Sequence, residues 1–149
     1  MIIIRVAALV FATLMAAGCS ATAPPGPAPA STPATAGAVT SDHRALVERF
    51  VTAINSGDQA AVRDTFAEEA RFDSVGRLYE GRDEIMDRFL VPEVIRAAGT
   101  YKLLSLTAGD GGRIVAEYDF TTGGGGREHF TYACTLREDR FADCLGRYV

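Results

Sequence analysis

The sequence predicts an α+β fold in which helices pack on one face of an antiparallel β-sheet, and three observations carry that expectation. Apolar residues recur at three- and four-residue spacing from Ser41 to about Gly99, the period of helices with one buried face. From Tyr101 to Tyr148 the period drops to two, with Gly-rich breaks between the alternating stretches. The first forty residues follow neither rule. Arg5 is their only charge and they hold five of the six prolines, so the folding body runs from Ser41 to Val149. A body of that size buries about 65% of the surface its unfolded chain exposes, enough for one core and too little for two.

Residues 1–18 have the order of an export signal: Met1 to Arg5, an uncharged apolar run from Val6 to Ala17, then Gly18-Cys19. The run is shorter than the roughly 20 residues of a settled membrane-spanning helix. Leu14-Met15-Ala16-Ala17-Gly18-Cys19 resembles the lipobox of bacterial lipoproteins, with Ala16 where Leu is usual. That resemblance implies cleavage before Cys19 and fatty acylation of its thiol, with chains such as palmitate. The other reading is an ordinary signal peptide with an incidental Cys. Residues 19–40 are almost entirely Ala, Pro, Thr, Ser and Gly, too poor in apolar surface to offset ordering entropy, and read as an extended tether. The expected location is the outer face of the cytoplasmic membrane or the cell envelope, with the bilayer as a partner through Cys19.

In the body, Ser41 or Asp42 caps a first helix whose Leu46, Val47, Phe50, Val51 and Ile54 form one stripe, ended by Asn55-Ser56-Gly57. Asp58 caps a second, with Val62 and Phe66 inward beside Ala61 and Ala70. Arg71 to Ser74 is a short extended piece, and Gly76 marks a turn before Leu78 and Tyr79. A third helix spans Asp83 to Val91, breaks near Pro92 and continues weakly to Gly99. Strands follow at Tyr101–Thr107, Arg113–Phe120, His129–Leu136 and Phe141–Tyr148, the last two a hairpin around Glu138-Asp139-Arg140. The four glycines from Gly123 read as a hairpin loop, since no helix, Lys or Ser/Thr follows at phosphate-loop spacing.

The body carries 14 basic residues against 19 acidic ones, a net −5, which disfavours a nucleic-acid grip. With one lysine, two histidines and no CxxC, neither a zinc cluster nor any other cofactor site is expected.

Three segments together resemble the nuclear-transport-factor-2-like superfamily, including its SnoaL-like and ketosteroid-isomerase-like branches. They are Glu48 to Asp58, with Ala53-Ile54-Asn55-Ser56-Gly57-Asp58 at its end, then Phe66-Ala67-Glu68-Glu69-Ala70-Arg71-Phe72, then Gly81-Arg82-Asp83-Glu84-Ile85. The resemblance implies a curved sheet wrapped around three helices, the cystatin-like cone, with a pocket at its open end. Phe50, Phe66, Phe72, Tyr79, Phe89, Tyr118 and Tyr132, with Phe120, are the candidate lining; the same residues could simply fill the core. In the isomerase-like branch the segment matching Asp73 carries the general-base carboxylate. A site among Phe50, Phe66 and Phe72 would raise its pKa toward useful base strength; the competing reading is a turn-capping acid. That branch's first-helix phenol is replaced here by Phe50, and its acid on the penultimate strand falls near Ala133, so its oxyanion donors are missing.

Residues numbered to sum to 278 face each other across a hairpin with a three-residue tip, which sets Cys134 opposite Cys144 and Leu136 opposite Ala142. Directly opposed Cβ atoms lie ~4.5–5.5 Å apart, so a disulfide is expected in an exported protein. A two-residue tip would set Cys134 opposite Asp143 instead. His129 alternates with Phe130 and Tyr132 and should face away from whatever they line.

Three functions compete. The first is a tethered, non-catalytic module binding a small apolar ligand or an envelope protein. The second is a SnoaL-like enzyme of isomerase, dehydratase or hydrolase type with Asp73 as base. The third is an envelope domain that forms a homodimer through its sheet.

Overall fold

The computed structural model describes residues 37–149; the leader at 1–18, Cys19 and the tether up to residue 36 lie outside the described residues. Helix α1 (Ser41–Ser56) is capped one residue earlier than expected, by Thr40. Thr40 Oγ1 accepts the His43 amide N–H at 3.2 Å, and His43 Nδ1 accepts the Thr40 N–H at 3.2 Å, a reciprocal box that satisfies two orphan donors. Gly57, at φ 71°, takes the left-handed cap that ends the helix, its N–H and that of Asp58 returning to Ile54 and Ala53 carbonyls. Asp58 caps α2 (Gln59–Asp64) through the Ala61 N–H, as the sequence predicts.

That second helix is shorter than its periodicity suggests. Phe66 and Ala70 belong to strand β1 (Phe66–Ser74), which turns through Val75-Gly76, both at positive φ, into β2 (Arg77–Glu80). Phe66, Ala67, Ala70 and Phe72 are buried at spacings that fit a helix as well as a strand, so burial alone does not separate the two; the Phe141 N–H donating to Thr65 O starts the chain along the last strand, Arg140–Tyr148, instead. Helix α3 (Arg82–Ile85) runs into a π-helical segment, Met86–Ile95. The expected break at Pro92 does not occur. Proline crowds the carbonyl four residues back in an α-helix, and the wider π turn relieves that crowding. The i→i−5 bond from Arg96 N–H to Val91 O (3.0 Å) records the wide turn, and the segment closes with Ala98 at φ 50°, its N–H donating to Ile95 O (3.0 Å) and the Gly99 N–H to Val94 O (2.8 Å).

The remaining strands are β3 (Thr100–Ala108), β4 (Ile114–Thr121), β5 (Arg127–Arg137) and β6 (Arg140–Tyr148), in the sheet order β2-β1-β6-β5-β4-β3. The sheet is mixed, because β1 pairs with β6 in parallel while every other pair is antiparallel. The long intervening chain permits this, since a parallel pair needs a crossover that a hairpin cannot supply. Register shifts in β1, in β3 between Leu103 and Ser105, and in the last hairpin between Thr135 and Leu136 bend the strands. The helices fill the concave face. Phe50 of α1 meets Phe66, Phe141 and Tyr101 edge-on, with ring centroids at 5.9, 5.7 and 5.6 Å.

The last hairpin reaches the predicted cysteine pairing by another route. Its tip has two residues, Glu138 and Asp139, both at positive φ. Arg137 therefore faces Arg140 and Leu136 faces Phe141, not Ala142. The bulge leaves Ala142 unpaired, which moves the register by one and sets Cys134 opposite Cys144. The disulfide is formed across that pair, with Cα atoms 4.1 Å apart, and is buried under the helices.

Candidate ligand site

Two cavities lie on the concave face. The inner one, bounded by Val47, Phe50, Phe66, Phe72, Tyr118 and the disulfide among others, has about 10 Å³ of free volume. That is room for about one water molecule, so these residues make a filled core. The outer one, at the open end of the cone, has about 400 Å³ and is walled by Phe89, Tyr101, Phe120, Phe130 and Tyr132, with Arg77, Glu93, Glu128, Arg147 and Tyr148 towards the rim. Of the lining residues expected from sequence, Phe89 and Tyr132, with Phe120, reach this wall. Phe50, Phe66, Phe72 and Tyr118 sit deeper in the packed core, and Tyr79 stacks on Phe89 at 5.2 Å without entering the cavity lining.

At the cavity floor the Tyr101 and Tyr132 hydroxyls are 2.8 Å apart. One phenol donates to the other, which leaves one phenolic proton for a ligand. Burial holds both phenols well above their usual pKa, so they stay protonated donors at neutral pH. Tyr101 is placed by Asn55, whose side-chain amide donates to Tyr101 O (2.9 Å) and accepts from Tyr101 N–H (2.8 Å). Asn55 thus acts as an extra rung at the start of β3. Its sequence position at the end of α1 gives no sign of this, because its partner is 46 residues away.

Asp73 does not lie at the pocket floor. Its neighbours Phe72 and Ser74 are buried on the concave side, and the pleat turns Asp73 to the opposite face. There it accepts the Gly76 N–H at 2.7 Å, closing the β1–β2 turn, and binds both arms of Arg147 at 3.1 and 3.0 Å. The Arg147 hydrogen bonds, then the Gly76 N–H, hold its carboxyl below the ordinary value. That is opposite to the shift a desolvated base needs. Ala133, where the isomerase-like acid was expected to align, sits on the outer face.

The residue that sequence reasoning missed is Glu128. It lies two before Phe130 and four before Tyr132 on β5, so strand alternation points it into the same cavity. His129 faces outward, as alternation predicts, and meets Glu117 at 2.8 Å, while Ser105 Oγ donates to the other Glu117 oxygen at 2.9 Å. Both groups hang on one carboxylate, so this is no nucleophilic triad, which would need the His between the Ser and the acid. Among the described residues no group of side chains could hold a metal ion, and no helix is long and apolar enough to cross a membrane.

The cone is shared with many solved structures. It is similar to a candidate polyketide cyclase from Sinorhizobium meliloti (23% identity, 69% of this chain, 94% of that one, TM-score 0.61). It is also similar to a candidate ketosteroid isomerase from Kribbella flavida (17% identity, 74% and 79% covered, TM-score 0.63). A protein of cystatin-like fold from Methylobium petroleophilum aligns at 12% identity over 76% and 80%, with TM-score 0.64. At such identities these likenesses establish the fold and not an activity. No curated protein matches the sequence. The profile of the SnoaL-like domain matches residues 47–143, from the middle of α1 to β6, and with the cone around it the chain belongs to the SnoaL-like family.

Proposed function

We propose that this protein is a membrane-tethered extracytoplasmic lipoprotein whose SnoaL-like domain binds a small, largely apolar ligand without transforming it. The observation that carries the binding reading is the aromatic cavity of about 400 Å³ with the Tyr101–Tyr132 hydroxyl pair at its floor. Small-molecule sites share that design, apolar walls with a few placed polar groups, in a range of roughly 300–1,000 Å³. The non-catalytic reading rests on Asp73, the base in the enzymatic alternative, which is outside the cavity and committed to Arg147 and Gly76. The tether rests on the Gly18-Cys19 junction and the Pro/Ala-rich segment after it.

Calorimetric titration of the purified full-length chain with planar aromatic and alicyclic compounds tests the first claim. Saturable binding is expected, and its absence across the panel in a protein folded by circular dichroism overturns the reading. For the tether, radioactive palmitate should label the wild type in bacterial cells and not Cys19→Ala. Equal labelling of the two removes the lipid anchor.

A further inference from the structure

The cavity mouth has an unequal distribution of charge. Two arginines line the mouth and both guanidinium groups are already paired, Arg77 with Glu93 in a two-pronged contact (2.7 and 2.6 Å) and Arg147 with Asp73. Glu128 lines the same mouth and takes part in none of the ion pairs among the described residues. The mouth therefore presents one carboxylate more than its cations neutralise. That carboxylate shares the cavity lining with the aromatic side chains of Phe120, Phe130 and Tyr132, with the exposed ring of Tyr148 beside them. Its negative field reaches the floor, where it adds to the forces that keep Tyr101 and Tyr132 protonated.

Each possible ligand charge meets this arrangement differently. An anion would meet Glu128 and would have to break an existing guanidinium–carboxylate pair to find a partner, at the cost of leaving that pair's carboxylate exposed to it. A neutral ligand would fill the apolar walls and leave Glu128 indifferent. A cation gains twice, from the carboxylate and from the quadrupoles of the surrounding rings.

We propose that the cone selects organic cations. The ligand would be a flat apolar body that reaches the Tyr101–Tyr132 pair, carrying a protonated or quaternary amine that sits at the mouth against Glu128. This rests on the reading of the cone as a ligand site and names the chemistry of what enters it.

Three near-isosteric probes separate the two claims when titrated calorimetrically into the full-length chain: tryptamine (cationic), tryptophol (neutral) and indole acetate (anionic). Tryptamine should bind about tenfold more tightly than tryptophol, the size of one combined charge and cation–π contribution, with indole acetate weakest. Glu128→Gln should erase the tryptamine advantage and leave tryptophol affinity as it was. Glu128 is exposed at the rim, so this variant should fold; Glu128→Lys should reverse the order and favour indole acetate. Equal binding of tryptamine and tryptophol, or an equal loss of both in Glu128→Gln, overturns the cation inference while the cone remains a ligand site. Failure of all three probes to bind overturns both.

Discussion

Tyr101 and Tyr132 touch hydroxyl to hydroxyl across a strand that separates them. Tyr101 is on β3 and Tyr132 on β5, with β4 in between, and their oxygens are 2.8 Å apart. In a flat sheet strands two apart are separated by about 10 Å and their side chains stand parallel. Curvature tips both phenols toward the same point, so this contact is a direct product of the cone. Each phenol is almost wholly buried, and each is the other's only hydrogen-bond partner among the described residues.

Tyr132→Phe should therefore cost more than a surface hydroxyl would, about 1–2 kcal/mol, because it leaves the Tyr101 hydroxyl buried without its partner. Tyr101→Phe should cost a similar amount. The double variant should lose clearly less than the two single losses added, since the second deletion removes the orphan that the first created. Urea denaturation of the four proteins checks this, and simple additivity would show that the hydroxyls are not coupled.

The Cys134–Cys144 bond closes a loop with a sequence separation of 10. Chain entropy then assigns it about 3 kcal/mol, a large share of the stability of a small domain. Reduction should lower the melting temperature by at least about 10 °C. Intact mass should rise by two hydrogens on reduction, and alkylation of both thiols without reductant would show that the bond is absent.

Asp73 should behave as a turn and ion-pair acid. Its folded carboxyl is held below the ordinary 3.8 by Arg147 and then by the Gly76 N–H. Its contribution is thus fully present above that value and is lost as pH falls through the lower folded value. Asp73→Asn should cost at most about 1 kcal/mol at neutral pH, as a half-exposed ion pair does. The difference from wild type should vanish under strong acid. Affinity for a neutral ligand should be unchanged, and an NMR titration that places Asp73 above its ordinary value would refute this account.

Gly99 stands where the π-helical segment enters β3, and a Cβ there would come 2.6 and 2.8 Å from two atoms of the Phe120 ring and 2.8 Å from Val94 O. The ring could move, but the carbonyl is backbone. Gly99→Ala should destabilise by about 1–3 kcal/mol through overpacking. It should also weaken ligand binding, because Phe120 is part of the cavity wall. Unchanged melting and unchanged affinity together would show that this junction is looser than the structure places it.

Much of the fold was legible because it depends on near neighbours. The stripe of Leu46, Val47, Phe50 and Ile54 and the cap at Asp58 follow from local spacing and local hydrogen bonds, and the structure has them where the sequence predicts. The alternation of Ile114, Ala116, Tyr118 and Phe120 fixed which side of β4 is buried. The same rule applied to two single residues would have placed the site better. With Phe72 inward, Asp73 must point outward; with Phe130 and Tyr132 inward, Glu128 must share their cavity.

Other features have no local signature. Phe66 to Ala70 satisfies burial as either helix or strand, and only pairing with β6 across most of the chain decides for strand. The cysteine pairing depends on a bulge at Ala142 that compensates a two-residue tip, and two errors of register that cancel cannot be seen in spacing. The Asn55 rung and the Tyr101–Tyr132 contact join residues 46 and 31 apart, through a curvature that several strands create together. Sequence periodicity determines which face of each element is apolar. How far apart two faces end up is set by the bending and closure of the whole sheet, and the polar groups of the cavity meet there.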